Sequence, residues 1–464
     1  MTTQQPLGEI AEIVRGISFP KEAKSLEPRS GDVACLRTTN VQRVVEWDDL
    51  WFVPSEHVKR AEQFVQPGDI LISTANSYEL VGKVALVSAV PRQATLGAFI
   101  SLIRVRPGVD PRFLYHQLAW GRTQSRIRET ASTTTNISNV STKKLAALQL
   151  DVPPLDDQRR IVAELEKQFS RLDEAVANLK RVKANLKRYK AGVLARAAHG
   201  GHAARPLTSA ALALNEPDGE SLRARILESR QRAWAALARG SATYKPPVPP
   251  QPPHPSQLPS GWAWTTVEEL GLADRPCAYG VLQPGDDQES GVPFVRVGDI
   301  ADGRVNTADL KKIDPQVAAK YPRTQLEGGE LLITLVGTIG RTAIVPAELR
   351  GANVARAVGV VPLTPFVDAR WVELWFRSPQ QLRSLDSQAH EVARKTLNLE
   401  DVRRARVALP PRAEQEQIVQ DVETCLSFAE AMESDVTVGL SRAEKLRQGV
   451  LAAAFASRGE GGRR

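Results

Sequence analysis

Apolar residues recur every seven positions along two long stretches of this chain. Leu165, Leu172 and Leu179 mark the period in the first stretch. A seven-residue period keeps one apolar seam along a helix and calls for a partner helix to cover it. We therefore predict two long helices whose seams face each other. The seam residues chosen are Val162, Leu165, Phe169, Leu172, Leu179 and Leu186 in the first helix, and Val419, Val422, Leu426, Val436, Leu440 and Val450 in the second.

The two stretches are copies of each other. Residues 151–198 align with residues 408–455 without a gap, and the identical pairs include Pro153/Pro410, Gln158/Gln415, Ile161/Ile418 and Gly192/Gly449. A Pro-Pro pair cannot extend a helix backwards, so each helix is expected to begin just after its pair. At about 1.5 Å per residue, a helix of about 44 residues extends over roughly 66 Å, a length that suits a spacer between two domains. An ordinary helical hairpin inside one domain is the alternative interpretation.

Residues 1–151 and 259–409 have a mixed α/β pattern. In the first, short β-rich runs such as DVACLRTTNV, GDILIST and GKVALVSAV alternate with Pro and Gly, and a helical stretch follows at 111–128. A short helix capped by Ser141 and the strand ALQLDVP complete this half. The second half repeats the order, with GELLIT in the place of GDILIS. We predict an α+β fold, in which two α/β domains are joined by two long antiparallel coiled-coil helices as a pseudo-twofold tandem repeat, one domain at each end.

The remaining segments follow from these boundaries. Spacer helices are predicted at 152–198 and 410–457, a linker at 199–258 and a disordered tail at 458–464. Within the linker, residues 221–239 have the pattern of a basic amphipathic helix, and residues 245–255 form a Pro-rich tether. A basic helix can bind nucleic acid or a membrane surface, but we favour a solvated helix that lies on the first half.

Charge and cysteine content narrow the function only a little. The 61 Lys and Arg residues exceed the 53 Asp and Glu residues, and the net charge of +8 favours an anionic partner without requiring one. The 3 cysteines are scattered, which predicts neither disulfides nor a cysteine metal site and fits a reducing cytosol. No export signal and no apolar stretch of membrane-spanning length is recognised, so no membrane association is expected.

Catalytic patterns are weak. No GxxxxGK[ST] or GxGxxG phosphate loop occurs. The segment DVPPL resembles the [DN]PP[YF] loop of adenine methyltransferases, but Val152 separates the acid from the prolines and no aromatic residue follows. Asp299, Asp309 and Lys311 have the spacing of a metal-dependent nuclease core, whereas the first half has Asn40 in place of Asp299, so exposed charges are favoured. We predict no catalytic residue and no metal site.

Several motifs together resemble the specificity (S) subunits of Type I restriction-modification systems. They are the PP-x-x-x-Q-x-x-IV helix starts at Pro153 and Pro410, the LPSGWAW segment at 258–264, and the GDILIS and GELLIT strands. The resemblance covers essentially the whole chain, except that the first half starts at PLGEI without a GW-type segment.

The resemblance implies a non-catalytic subunit with two target recognition domains that bind double-stranded DNA. Each domain would read one part of a split target, while the helix pair with its seam residues sets the spacing and docks two methyltransferase (M) subunits. Two restriction (R) subunits would complete the complex. S-adenosylmethionine would belong to M, and ATP and Mg to R, with no cofactor in this chain.

Candidate DNA contacts are polar residues beside the repeated strands, because Arg and Lys suit guanine, Asn suits adenine and an acid can accept from cytosine. The candidates are Arg37, Asn40, Asn76, Lys83 and Asn136 in the first half, and Arg296, Asp299, Thr338, Arg341 and Arg394 in the second. Arg37/Arg296 and Lys83/Arg341 are shared between the halves, which favours phosphate positioning. Asn40 and Asn136 could equally be turn or cap residues.

Because the two surfaces differ, two dissimilar half-sites are expected. The protein is expected to be cytoplasmic. Two other interpretations of its function stay open. One is a solitary S-like DNA-binding protein that acts outside restriction, and the other is a coiled-coil interaction scaffold that does not bind DNA.

Overall fold

The computed structural model describes residues 2–134, 137–200, 217–237, 243–251, 258–391 and 395–456. The chain divides into two units, one formed by Met1–Arg181 with Val436–Arg464 and the other by Val182–Asp435. Each unit contains one α/β domain, the start of one long helix and the end of the other. The predicted tail at 458–464 lies outside the described residues, as do residues 201–216, 238–242 and 252–257 of the predicted linker.

The domain of the first unit begins and ends with paired strands. Its helices are α1 (Leu7–Ile10), α2 (Pro111–Ala119), α3 (Gly121–Glu129) and α4 (Thr142–Ala146). Its strands are β1 (Thr3–Pro6), β2 (Ala11–Arg15), β3 (Asp32–Leu36), β4 (Trp51–Pro54), β5 (Ile70–Ser73), β6 (Ala75–Asn76), β7 (Val84–Leu86), β8 (Ala94–Leu96), β9 (Ile100–Val105), β10 (Ser132–Thr133), β11 (Ser138–Asn139) and β12 (Gln149–Val152).

The strands of this domain form four small sheets. One antiparallel sheet has the order β2-β9-β5-β7, and its strand β5, with Ile70, Leu71 and Ile72, is buried along its whole length. A second sheet has the order β4-β3-β8, in which β3 and β8 are parallel. Strand β1 pairs with β12, and β10-β11-β6 form the last sheet. As predicted, the Ser141 hydroxyl accepts the backbone N–H of Lys144 and caps α4.

The long helix α5 (Leu155–Ala197) follows β12, and the domain of the second unit comes after it. The helices of this domain are α6 (Gly219–Ala236), α7 (Val267–Leu270), α8 (Pro315–Ala318), α9 (Ala369–Arg377), α10 (Pro379–Gln388) and α11 (Leu399–Arg404). Its strands are β13 (Ala263–Thr266), β14 (Ala278–Tyr279), β15 (Val292–Val295), β16 (Ile300–Ala301), β17 (Arg304–Val305), β18 (Lys311–Ile313), β19 (Leu331–Thr334), β20 (Thr342–Ile344), β21 (Asn353–Val354), β22 (Val358–Val361), β23 (His390–Glu391), β24 (Lys395–Thr396) and β25 (Arg406–Leu409). The second long helix, α12 (Arg412–Ala456), closes the described chain.

The second domain repeats the strand order of the first. Its sheet β14-β22-β19-β20 corresponds to β2-β9-β5-β7, and β18-β15-β21 corresponds to β4-β3-β8 with the same parallel pair. Strand β13 pairs with β25 as β1 pairs with β12, so the first half has the terminal strand even without a GW-type segment. The predicted α+β tandem repeat is confirmed.

The seam residues hold the two long helices together within each unit. In the first unit Val162, Leu165 and Phe169 near the start of α5 cluster with Leu451 and Phe455 near the end of α12. In the second unit the end of α5 and the start of α12 share a core that contains Val193, Leu194, Val419, Val422 and Leu426. The start of one helix therefore meets the end of the other, and the pair is antiparallel.

All twelve predicted seam residues are buried or half-buried. Leu172, Leu179, Leu440 and Val450 are the half-buried ones, and the remaining eight are buried. The heptad pattern therefore describes a covered seam. Within the described residues, no helix has the length and apolar character needed to cross a membrane.

A buried glutamine attaches each domain to the helix that follows it. Gln158 is fully buried, its Oε1 accepts the backbone N–H of Asp110 at 2.8 Å, and its Nε2 donates to the carbonyls of Gly108 and Pro153. In the second unit, Gln415 Oε1 accepts the N–H of Asp368 at 2.8 Å, and Nε2 donates to the Pro410 carbonyl. This bonding explains the glutamine in the repeated PP-x-x-x-Q motif.

Two local predictions need correction. The single helical stretch predicted at 111–128 is two helices, because Trp120 has an extended backbone between α2 and α3. The N–H of Gly121, the next residue, donates to Gln448 Oε1 at 2.9 Å, and the Trp120 ring lies 6.0 Å from that of Phe455. Contacts with α12 therefore override the local helix propensity.

The basic helix of the linker lies on the second half and not on the first. Leu222 and Ile226 of α6 are buried in the core of the second unit. Arg223 forms a bidentate ion pair with Glu269, and the Arg225 guanidinium lies 4.7 Å from the centre of the Phe366 ring. Its arginines thus serve to bind α6 to the second domain. The described part of the Pro-rich tether, residues 245–251, also bonds to this domain, since the Gln251 carbonyl accepts a hydrogen bond from Arg406 Nη1.

Replacing the buried glutamine should loosen the domain from its helix. The change Gln158→Leu leaves the Asp110 N–H and two carbonyls without partners, which costs about 1–3 kcal/mol of the free energy of unfolding. Urea unfolding of the full chain, followed by tryptophan fluorescence, measures this cost. Gln168→Leu is the control, because Gln168 is exposed on the same helix. An equal effect of both changes would show that the buried amide does not hold the domain.

The free energy of unfolding of the first unit should decrease in acid. His116 is buried with its ring 5.4 Å from that of Phe169, and burial, aided by Arg447 and Arg112, lowers the pKa of His116 to about 4. The unfolded chain takes up this proton below about pH 6.5 and the folded chain only near pH 4, so the free energy of unfolding falls with pH across that window.

We expect His116 to account for about 2 kcal/mol of the stability lost between pH 7 and pH 5. The variant His116→Gln, which stays neutral, should lose that much less over the same interval in urea titrations. His199→Gln changes an exposed histidine and serves as the control. Equal pH dependence in wild type and His116→Gln would contradict the assignment.

Candidate nucleic-acid interface

Each domain has a polar turn directly after a parallel strand. In the first domain the turn after β3 contains Arg37 and Asn40, and Asn40 is 2% exposed. Its Oδ1 accepts the N–H of Arg37 at 2.8 Å, and its Nδ2 donates to the carbonyl of Asp48 at 2.9 Å. In the second domain, Asp299 Oδ2 accepts the N–H of Arg296 at 2.8 Å in the equivalent turn. Asn40 and Asp299 thus close the turns, which favours a structural role for both.

The arginines at the start of these turns differ in their surroundings. Arg37 is half-buried, forms an ion pair with Asp49, and lies 4.8 Å from the centre of the Trp51 ring. Arg296 is exposed and pairs with Asp299 at 3.1 Å, and this hydrogen bond raises the pKa of Arg296. Both guanidinium groups are partly neutralised by a carboxylate, so a phosphate would have to compete with that carboxylate for either arginine.

A second loop in each domain is bonded to a short hairpin. Asn76 in β6 is half-buried, and its Oδ1 accepts the N–H of Ser77 at 2.9 Å. Strand β6 pairs with β11 of the β10-β11 hairpin. In the second domain Thr338 is exposed in the corresponding loop, and the N–H of Gly337 in that loop donates to the carbonyl of Lys395 in the β23-β24 hairpin. Asn136 and Arg394, the candidates between the hairpin strands, lie outside the described residues.

The shared basic position of each domain follows a glycine with a left-handed backbone. Gly82 has φ +87° and Gly340 has φ +77°, a region that glycine adopts without strain. Arg341, after Gly340, is exposed. Lys83, after Gly82, is half-buried and donates to Gln42. Lys83 lines a cavity beside α12 that is separate from the one at Arg37, so the structure does not bring these two candidates together.

Sequence reasoning missed two aromatic residues near Arg37. Trp51 begins β4, and Phe99 precedes β9 with its side chain 59% exposed. The carbonyl of Phe99 accepts the N–H groups of Thr74 and Ala75, which places it beside the Asn76 loop. Phe99 stands at the start of the apolar run FISLIRV, so the sequence pattern indicates core at this position. The exchange of Phe99 for Ala357 between the copies was the available signal.

The groups suggested by a catalytic interpretation are otherwise engaged. Asp299 pairs with Arg296, and Lys311 Nζ donates to the Gly285 carbonyl. Across the described ranges, no group of three or more His, Cys, Asp or Glu side chains is placed to hold a metal ion.

Two further buried groups have shifted pKa values. Burial raises the pKa of the Cys35 thiol to about 12, which keeps it protonated, and raises the pKa of Glu373 to about 7. The Glu373 carboxylate packs against Thr342 and Arg377 inside the domain.

Known proteins match this chain along most of its length. The family model described as Type I restriction modification DNA specificity domain matches residues 3–188. The Type I restriction enzyme EcoBI specificity subunit of Escherichia coli is 31% identical over 352 residues, which are 76% of this chain and 66% of that protein. The EcoKI specificity subunit of Escherichia coli (strain K12) is 24% identical over 98% of this chain and 88% of its own length.

One solved structure has the same fold. A chain from the structure described as "Structural basis underlying complex assembly and conformational transition of the type I R-M system" has a TM-score of 0.60 and 16% identity, over 98% of this chain and 97% of that one. The duplicated domains, the antiparallel helices and the sequence matches agree. This chain therefore belongs to the specificity subunits of type I restriction-modification systems.

Proposed function

We propose that this chain is the DNA sequence-recognition subunit of a type I restriction-modification complex in the cytoplasm, and that it binds a split, asymmetric target. The chemistry belongs to partners, two methyltransferase and two restriction subunits, and this chain supplies the recognition. The net charge of +8 and the membership in the specificity-subunit family support a DNA partner.

The proposal of an asymmetric DNA target is supported by a difference between the two domains. The two domains have the same strand order, but the residues that the frame presents differ at equivalent positions. Trp51 pairs with Cys35 of β3 in the first domain, and Lys311 pairs with Phe294, the equivalent residue of β15, in the second. Phe99 and Ala357 likewise accept the same backbone hydrogen bond from the strand beside them. A common frame with unlike surfaces suits two unlike half-sites, since base contacts specify and the backbone only positions.

The candidate contacts divide by exposure. Arg296, Thr338 and Arg341 are exposed in the second domain, whereas Arg37 and Asn76 are half-buried in the first. We retain these five residues, together with the two hairpins, as DNA contacts. Lys83 lines the cavity beside α12. Asn40 and Asp299 accept the backbone hydrogen bonds that close their turns.

Docking of the methyltransferase subunits falls to residues outside the seam, because the seam is covered. On α12 in the second unit, Phe428 is 65% exposed and Met432, one turn further, is 36% exposed. Side chains four residues apart share one face of a helix. Such an exposed aromatic and methionine pair is typical of the centre of a protein interface. We assign this face to a methyltransferase subunit.

Binding to duplex DNA should be led by phosphate contacts and therefore be steeply salt-dependent. Removing one such contact with Arg341→Gln is expected to weaken binding to unrelated duplexes and to reduce the salt slope by about 1. Fluorescence anisotropy of a labelled duplex over a series of salt concentrations measures both. Arg159→Gln removes the same charge from an exposed arginine on α5 and should change neither. Salt-insensitive or absent binding by the wild-type chain would refute DNA recognition.

A charge placed on the exposed face of α12 should block assembly. In Phe428→Glu the carboxylate cannot be buried against a partner without a large desolvation cost, so the methyltransferase subunit should no longer co-elute from a sizing column. Ser434→Glu adds the same charge at an exposed position on the same helix and should leave the complex intact. Intact assembly of Phe428→Glu would place the interface elsewhere.

A further inference from the structure

The first domain has a recess in which Arg37 is the one residue already proposed above as a DNA contact. Its volume is about 530 Å³, and it lies between the turn after β3, the start of β4 and the turn that precedes β9. Its lining combines three aromatic rings with three cations. These residues are Phe19, Trp51, Phe99, Lys21, Lys24 and Arg37.

The aromatic side chains form a firm surface that is open to solvent. The Phe19 and Trp51 rings meet edge to face with 6.3 Å between their centres. Phe99 is 59% exposed, while its backbone carbonyl accepts the N–H groups of Thr74 and Ala75 at 2.9 and 3.2 Å. An exposed ring on a fixed backbone offers a flat apolar face at little entropic cost. A planar aromatic ligand matches this surface.

The cations beside these rings favour a ligand that also carries negative charge. Lys24 Nζ lies 4.2 Å from the centre of the Trp51 ring, and the Arg37 guanidinium lies 4.8 Å from it. Arg37 is paired with Asp49, yet its Nε is buried and has no hydrogen-bond acceptor among the described residues. A planar ring with an adjoining anion is the chemistry of a nucleotide.

We propose that this recess holds one nucleobase that has turned out of the stack of the bound DNA, with its phosphate beside Lys21 and Lys24. The proposal rests on the DNA recognition proposed above and names one contact of the first domain. A paired base shows the protein only its edge, and a protruding side chain reads that edge. A base can enter a concave, ring-lined site only after it has left the helix.

In the part of the second domain that the structure describes, two of these three aromatic residues are replaced. Lys311 stands at the place of Trp51, and Ala357 at the place of Phe99. Arg356, exposed before Ala357, stands where the first domain has Ala98. The recess therefore belongs to one half-site only, and the framework common to both domains does not require it.

The test compares two DNA probes with the full chain. One is a short, fully paired duplex of mixed sequence, and the other is the same duplex with one extrahelical thymine. Because the extrahelical base is already unstacked, the wild-type chain is expected to bind the second probe about tenfold more tightly. Phe99→Ala should remove most of this preference, since stacking on one aromatic ring accounts for about that factor.

Two further variants control for folding and for exposure. Tyr78→Ala removes another exposed aromatic side chain of the same domain outside the recess and should keep the preference. Lys24→Gln leaves the rings in place and should weaken binding of the extrahelical probe more than binding of the paired duplex. Circular dichroism and the unfolding midpoint check that each variant is folded.

The outcomes separate this proposal from the one on which it rests. Steep salt-dependent binding of the paired duplex, with no preference for the extrahelical base or with a preference that Phe99→Ala and Lys24→Gln retain, overturns the recess and leaves DNA recognition standing. Absence of binding to both probes overturns both proposals. A Phe99→Ala chain that keeps the preference but no longer assembles with a methyltransferase subunit makes the recess a protein contact and also overturns it.

Discussion

One buried amide in each unit determines how a recognition domain is attached to its long helix. The side chains of Gln158 and Gln415 each accept the N–H of an aspartate that begins a domain helix and donate to the carbonyl of the first proline before the long helix. A buried amide without these partners would be costly, so the bond defines one orientation of helix start and domain. The heptad seam then brings the end of the other helix to the same place. Both units repeat this arrangement, and the frame is therefore the constant part of the molecule.

The constancy of the frame allows the recognition surfaces to vary. Strands β3 and β15, with their parallel partners, end in equivalent turns, and the loops and hairpins around those turns carry side chains that differ in size, charge and aromatic character. Exposed positions such as Phe99 in the first domain and Arg356 in the second can carry different side chains, because they do not belong to the buried cores of the sheets. A protein that has to recognise two unrelated pieces of DNA can then be built from one duplicated plan.

The parts of the fold that depend on periodicity were predictable from the sequence. The heptads and the Pro-Pro pairs located both long helices, and matching runs such as GDILIS and GELLIT gave the repeated order of strands. Prediction was wrong where a distant contact decided a local structure. The bonds to α12 break the helix at Trp120, and the pairing of Arg223 with Glu269 attaches α6 to the second domain. Neither contact leaves a trace in local sequence.

The candidate interface was predictable only in outline. Its loops could be chosen because they follow repeated strands, but side-chain roles depend on hydrogen bonds that the sequence does not show. Asn40 closes a turn instead of facing outwards, and Phe99 faces outwards although it begins an apolar strand.

The central claim is that one duplicated framework presents two different recognition surfaces to DNA. It is tested most directly by mapping methylated adenines with single-molecule sequencing, in cells that produce this chain together with its methyltransferase subunit. The account predicts a motif in two dissimilar parts, separated by a constant number of unspecified bases. A palindromic motif, or one continuous block without such a gap, would contradict it.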